Sequence, residues 1–181
     1  MKPLSIDEAA PAPTPGAAPL PPTCFLNADG VVHPVGTSYF HGDLAGPARP
    51  PFCWVAGLED LARRWDLRFV LWTSATAALG FERVRALAPP WLQARIDGET
   101  PPKLRFISLS EVRKLRSSFA SLSYHLTLHP SSNWVAVSDD LDGWPAETEL
   151  RKRLVVCDGS QGLSDPAVVE RMEAVLRMGP G

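Results

Sequence analysis

The sequence predicts an α/β domain built on a mainly parallel central sheet with helices on both faces. Three observations lead there. First, four short runs are apolar almost throughout: Cys24-Phe25-Leu26, Leu67 to Trp72, Trp134 to Val137 and Leu154 to Cys157. Continuous rather than alternating apolar character belongs to strands buried on both faces, as in parallel sheets. Second, segments of helical periodicity separate most of these runs, in the order strand, helix, strand, helix, helix, strand, strand, helix. Third, each run stops at small polar or acidic residues, the punctuation expected where a strand leaves the sheet.

Residues 1–22 are rich in Pro and Ala and end Pro-Leu-Pro-Pro. Such a segment buries too little apolar surface to offset its ordering entropy, so it is expected to be a disordered tail. The α/β domain is expected over 23–181. Its first strand stops at Asp29-Gly30. A Gly/Pro-punctuated stretch without period follows, from His33 to Trp54. Leu58, Leu61, Ala62 and Trp65 recur at helical spacing, and the second strand ends in Thr73-Ser74. Phe81, Val84, Arg85 and Leu87 suggest a helix that Pro89-Pro90 stops. Ser108 and Glu111 fit a capping box ahead of the apolar stripe Leu109, Val112, Leu115, Phe119, Leu122 and Leu126. In the last helix Asp165 can cap, Pro166 suits the first turn, and Val168, Met172, Val175 and Leu176 form the buried stripe.

Composition excludes several classes. The net charge is −2, so no basic field favours nucleic acid or an anionic membrane. The clusters Arg113-Lys114-Arg116 and Arg151-Lys152-Arg153 read as a solvated helix face and a strand entry. Cys24, Cys53 and Cys157 form no Cys-x-x-Cys pair, which argues against structural zinc and disulfide exchange. No apolar run approaches a membrane span, and the N-terminus lacks the apolar core of a secretory signal. A soluble protein of the reducing cytoplasm is expected.

Ligands of open parallel sheets bind at the carboxyl ends of the strands. Three such tips carry polar groups: Asn27-Ala28-Asp29-Gly30, Thr73-Ser74 and Ser138-Asp139-Asp140. Carboxylates converging there repel one another unless a hard cation joins them, and Mg²⁺ with oxygen ligands fits. At any single tip, Asp, Asn and Ser serve equally well as turn formers.

The tips also carry a family likeness. Phe25-Leu26-Asn27-Ala28-Asp29-Gly30-Val31-Val32-His33-Pro34 resembles the first motif of haloacid-dehalogenase-like proteins, Asp-x-Asp-Gly-Val-x-His-Pro in one bacterial branch. Phe69 to Ser74 looks like the second motif, and Trp134 to Pro145 is similar to the fourth, with its Asp-Asp pair and later Gly-Trp-Pro. The resemblance spans roughly 23–178 and implies a Rossmann-like fold with a small or minimal cap. It also implies roles. The nucleophile that would form an aspartyl-phosphate falls at Asn27. The acid/base carboxylate falls at Asp29, and the phosphoryl-binding hydroxyl at Thr73 or Ser74. The cation of the third motif falls at Lys114, with Arg116 as a rival. Metal ligands fall at Asp29, Asp139 and Asp140, with Ser138 at the position of the fourth motif's first Asp. An Asn amide is neutral and a very poor nucleophile toward phosphate. Asn27 and Ser138 together also remove two negative charges from a divalent-cation site. The resemblance therefore implies a phosphohydrolase fold whose Mg²⁺-dependent phosphatase activity is lost or weak. The alternative is a non-catalytic module that binds a phosphate, a phosphorylated small molecule, another anion or a protein partner on the same fold.

Two other chemistries fit less well. Ser138 to Glu149 places Asp140, Asp142, Gly143 and Glu149 at calcium-loop spacing, but Ser at the first position, Pro145 and a preceding strand oppose it. Gly159-Ser160-Gln161-Gly162 lacks the Gly-x-Ser-x-Gly spacing of a serine hydrolase.

Overall fold

A computed structural model of the chain describes residues 20–37, 49–100, 118–141, 143–146 and 148–180. Most of the Pro/Ala-rich segment, part of the His33–Trp54 stretch, the Ser108 capping box and Lys114 lie outside the described residues. Within them, five parallel strands form one sheet. They are β1 (Thr23–Leu26), β2 (Arg68–Leu71), β3 (Ile96–Glu99), β4 (Trp134–Ser138) and β5 (Leu154–Val156). Their spatial order is β3-β2-β1-β4-β5, so the chain reverses direction of travel across the sheet on either side of β1. The helices are α1 (Leu58–Arg64), α2 (Ala75–Leu79), α3 (Phe81–Arg85), α4 (Pro90–Gln93), α5 (Ser118–Leu128) and α6 (Pro166–Arg177). No described helix is long and apolar enough to cross a membrane.

The apolar strands serve two cores because successive side chains leave a strand on opposite faces. Cys24, Leu26, Phe69, Leu71, Val135, Val137 and Val155 pack with α1 and α6 on one face. Phe25, Val70, Trp134, Ala136 and Leu154 pack with Leu122 of α5 and with Trp144 on the other. Trp72 Nε1 donates to the Ser118 carbonyl at 3.1 Å and ties α5 to the sheet. The α6 start follows the sequence signals: Asp165 accepts the Ala167 N–H at 3.0 Å, and Pro166 opens the helix.

Two features depart from the sequence reading. The strand β3 has only Ile96 as a buried apolar residue, with Asp97 exposed. An edge strand with one apolar anchor gives no periodic signal. The helix expected around Phe81 to Leu87 is present as α3, and two further short helices that the sequence reading did not expect, α2 and α4, flank it. Gly80, at φ 87°, separates α2 from α3, and Pro90 begins α4 rather than only ending its predecessor. The Arg151-Lys152-Arg153 cluster is a strand entry: it forms a 3-10 turn into β5, and Arg153 is buried there.

Candidate functional site

The carboxyl ends of β1, β2 and β4 meet above the sheet. Backbone pairing runs past the strand ends and holds the tips in register: the N–H of Asn27 donates to the Val137 carbonyl at 3.2 Å and that of Trp72 to the Leu26 carbonyl at 2.9 Å. A cleft of about 960 Å³ opens there. Asn27, Asp29, Thr73, Ser74, Asp139 and Asp140 all line it. The positions singled out in the sequence are thus gathered in one place. Lys114 and its rival Arg116 lie outside the described residues.

Asn27 and Ser138 touch each other. In the parallel register Leu26 pairs with Val137, so the next residue of each strand stands beside the other. Asn27 Nδ2 donates to Ser138 Oγ at 3.2 Å, while Asn27 Oδ1 accepts the Ala28 N–H at 2.8 Å. Ser138 is fully buried, and its Oγ also accepts the Asp140 N–H at 3.1 Å. A neutral amide and a hydroxyl therefore satisfy each other where two carboxylates would repel. Beyond β2, Thr73 Oγ1 accepts the Ala75 N–H at 3.2 Å, and Thr76 Oγ1 donates to the Thr73 carbonyl at 3.0 Å. These bonds fix the turn into α2 and leave the exposed Ser74 at the cleft edge.

Asp139 is half-buried at the tip of β4. Burial pushes its carboxyl above the ordinary carboxylate range, and the charges of Asp140 and Asp29 add to the rise. Two glycines make room for it. A Cβ on Gly30, which has φ 70°, would overlap Asp139 Oδ2, and a Cβ on Gly159 would come within 2.9 Å of the same oxygen. The Asp-Gly pairs after β1 and β5 carried that signal in the sequence as turn dipeptides, without showing which side chain they accommodate. Sequence reasoning also missed Glu99 and Thr100, which join the cleft from the unrecognised β3, and Ser118 and Ser121 from α5.

The donor set bears on a divalent cation. No group of three or more His, Cys, Asp or Glu side chains is gathered for a metal among the described residues. Hard cations such as Mg²⁺ depend on carboxylate charge, and the two positions nearest the sheet axis present an amide and a hydroxyl. The described side chains do not make a magnesium cage. The lining carries the carboxylates of Asp29, Glu99, Asp139 and Asp140 and no Lys or Arg among the described residues. A phosphate entering the cleft meets repulsion unless a cation accompanies it.

A parallel sheet of this strand order, with its polar cleft at the tips around β1, is a Rossmann-like α/β domain, consistent with a haloacid-dehalogenase-like fold. A protein-family model described as the HAD domain in Swiss Army Knife RNA repair proteins matches residues 23–168. The chain belongs to that family. No curated protein and no solved structure matched the chain.

Proposed function

We propose that this domain is a phosphohydrolase-fold protein in which Mg²⁺-dependent phosphatase activity is lost or weak. The observation that carries the reading is the hydrogen bond from Asn27 Nδ2 to Ser138 Oγ. It engages both residues that depart from the family pattern, at the point where covalent attack on phosphorus would start. The amide nitrogen has no free lone pair for attack, and the amide oxygen already accepts the Ala28 N–H. Asp29 remains able to exchange a proton with a bound group. Thr73 and Ser74 retain hydroxyls that can hydrogen-bond phosphoryl oxygens, and Lys114 is the candidate counter-charge. Asp29, Asp139 and Asp140 would engage Mg²⁺ weakly. The three cysteines are all free thiols, which fits a reducing, cytoplasmic setting.

A second reading keeps the fold and drops the chemistry. Thr73, Ser74, Thr100, Ser118 and Ser121 still line a cleft of about 960 Å³, which would bind a phosphate or a phosphorylated group without turnover when a cation offsets the carboxylates of Asp29, Glu99, Asp139 and Asp140. The matching family takes its description from RNA repair proteins, so a phosphorylated RNA end is a ligand of the right chemistry.

A generic aryl phosphomonoester with Mg²⁺ tests the primary reading. The wild-type chain is expected near the uncatalysed background, and Asn27→Asp is expected to gain turnover. Wild-type turnover equal to that of Asn27→Asp would refute it. Saturable phosphate binding without wild-type turnover is the result the second reading expects.

A further inference from the structure

His33 sits beside the cleft without lining it. It is fully buried, and its Nδ1 accepts the backbone N–H of Phe52 at 3.2 Å. An accepting Nδ1 leaves the ring proton on Nε2. Nε2 in turn faces Asp29 Oδ1 at 3.6 Å, just beyond hydrogen-bond distance. Long contacts of this kind are common in catalytic sites before ligand binds.

The backbone around the pair is tied at both ends. Asp29 and His33 form an isolated bridge, and the Gly30 N–H donates to the His33 carbonyl at 2.9 Å. The Trp54 N–H donates to the Val32 carbonyl at 2.9 Å, which brings in the segment returning at 52–55. Phe52 has φ 60° and packs edge-on against the His33 ring at 6.1 Å between centroids. A side-chain-bearing residue holds that backbone conformation only where its surroundings over-determine it.

We propose that His33 is a positioning residue for Asp29. The returning segment fixes the His33 tautomer through Phe52, and the Nε2–H sets the direction of the Asp29 carboxylate into the cleft. The proposal rests on the reading of Asp29 as the site's proton-transfer group. A histidine serving only as packing would end both ring nitrogens inside the core. Here one nitrogen ends at a side chain that is 45% exposed and lines the cleft.

Two substitutions separate the ring's contacts. The short amide of His33→Asn can still accept from Phe52 but falls short of Asp29. The longer amide of His33→Gln can reach Asp29 with an N–H and releases Phe52. In the full-length Asn27→Asp background, with an aryl phosphomonoester and Mg²⁺, His33→Asn is expected to lower kcat about tenfold, with KM changed by less than about twofold. His33→Gln is expected to recover most of that loss. A readout independent of turnover accompanies these rates. Ring ¹⁵N spectra of the wild type should show the Nε2–H tautomer, and three-bond couplings should show a single Asp29 χ1 rotamer that averages in His33→Asn but not in His33→Gln. An Nδ1–H tautomer, or Asp29 couplings that do not change in His33→Asn, would overturn the proposal, as would equal kcat losses in the two variants. If Asn27→Asp shows no turnover, the phosphatase reading fails, and the tautomer and couplings alone decide the role of His33.

Discussion

The contact between Gly30 and Asp139 allows a quantitative test of how the site is packed. Gly30 has φ 70°, and a Cβ there would overlap Asp139 Oδ2. Gly36 has φ 77°, yet a Cβ there meets nothing within 4 Å. The two glycines therefore share a backbone cost and differ in a contact. Placing alanine in the left-handed region costs about 1–2 kcal/mol. Forcing atoms into a packed site costs a further 1–3 kcal/mol or so. Gly36→Ala should then destabilise by about 1–2 kcal/mol and Gly30→Ala by about 2–5 kcal/mol. With a urea dependence of about 2 kcal/mol per molar, the midpoints shift by about 0.5–1 M and about 1–2.5 M. The excess belongs to the carboxylate, so it should shrink when Gly30→Ala is made in an Asp139→Ala background. There only the Asp139 Cβ, 3.1 Å from the added methyl, remains to be accommodated. Equal costs at the two glycines, or no coupling between Gly30 and Asp139 in the cycle, would refute this account of the packing.

Two further perturbations follow from buried groups. Burial, and then the neighbouring His129, push His125 from its ordinary 6.5 down to about 4. Between those values the unfolded chain binds more protons than the folded one, so stability falls as pH drops from about 6.5 to 4 and levels off below. The loss is at most about 3 kcal/mol, and urea midpoints at several pH values should show it shrinking in His125→Gln; an unchanged pH slope would exclude His125 as its source. Arg153 is buried, donates to the Trp134 carbonyl at 3.0 Å and the Gly179 carbonyl at 2.6 Å, and lies 5.6 Å from the Trp134 ring centre. Arg153→Ala orphans both carbonyls and should cost about 3 kcal/mol, a Tm drop of about 6–12 °C; a drop under about 2 °C would contradict the structure.

Much of the fold was legible because four strands are buried on both faces and say so with unbroken apolar runs. Asp165 and Pro166 announced the last helix for an equally local reason. The strand β3 was illegible because an edge strand anchored by Ile96 alone has nothing to repeat. Glu99 and Thr100 were missed with it. The tips themselves could be found, since a parallel sheet presents its carboxyl ends together. Their contacts could not. That Asn27 touches Ser138 depends on the pairing of Leu26 with Val137, and sequence order does not contain a register between strands more than a hundred residues apart. The approach of Gly30 to Asp139, and of His33 to Asp29 and Phe52, depends on the same three-dimensional closure.

The register also bears on the proposal that Asn27 and Ser138 stand where the family's carboxylates would fall. Two isolated substitutions would each weaken a metal site. As hydrogen-bonded neighbours they form one neutral unit, and reverting one leaves the other to answer a restored carboxylate. The most direct measurement is steady-state phosphomonoester turnover with Mg²⁺ in the wild type, Asn27→Asp, Ser138→Asp and the double variant. Background rates in the wild type and in Ser138→Asp, a gain in Asn27→Asp and a larger gain in the double variant are the predicted result. Wild-type turnover matching the double variant would contradict the claim that Asn27 and Ser138 disable the covalent chemistry.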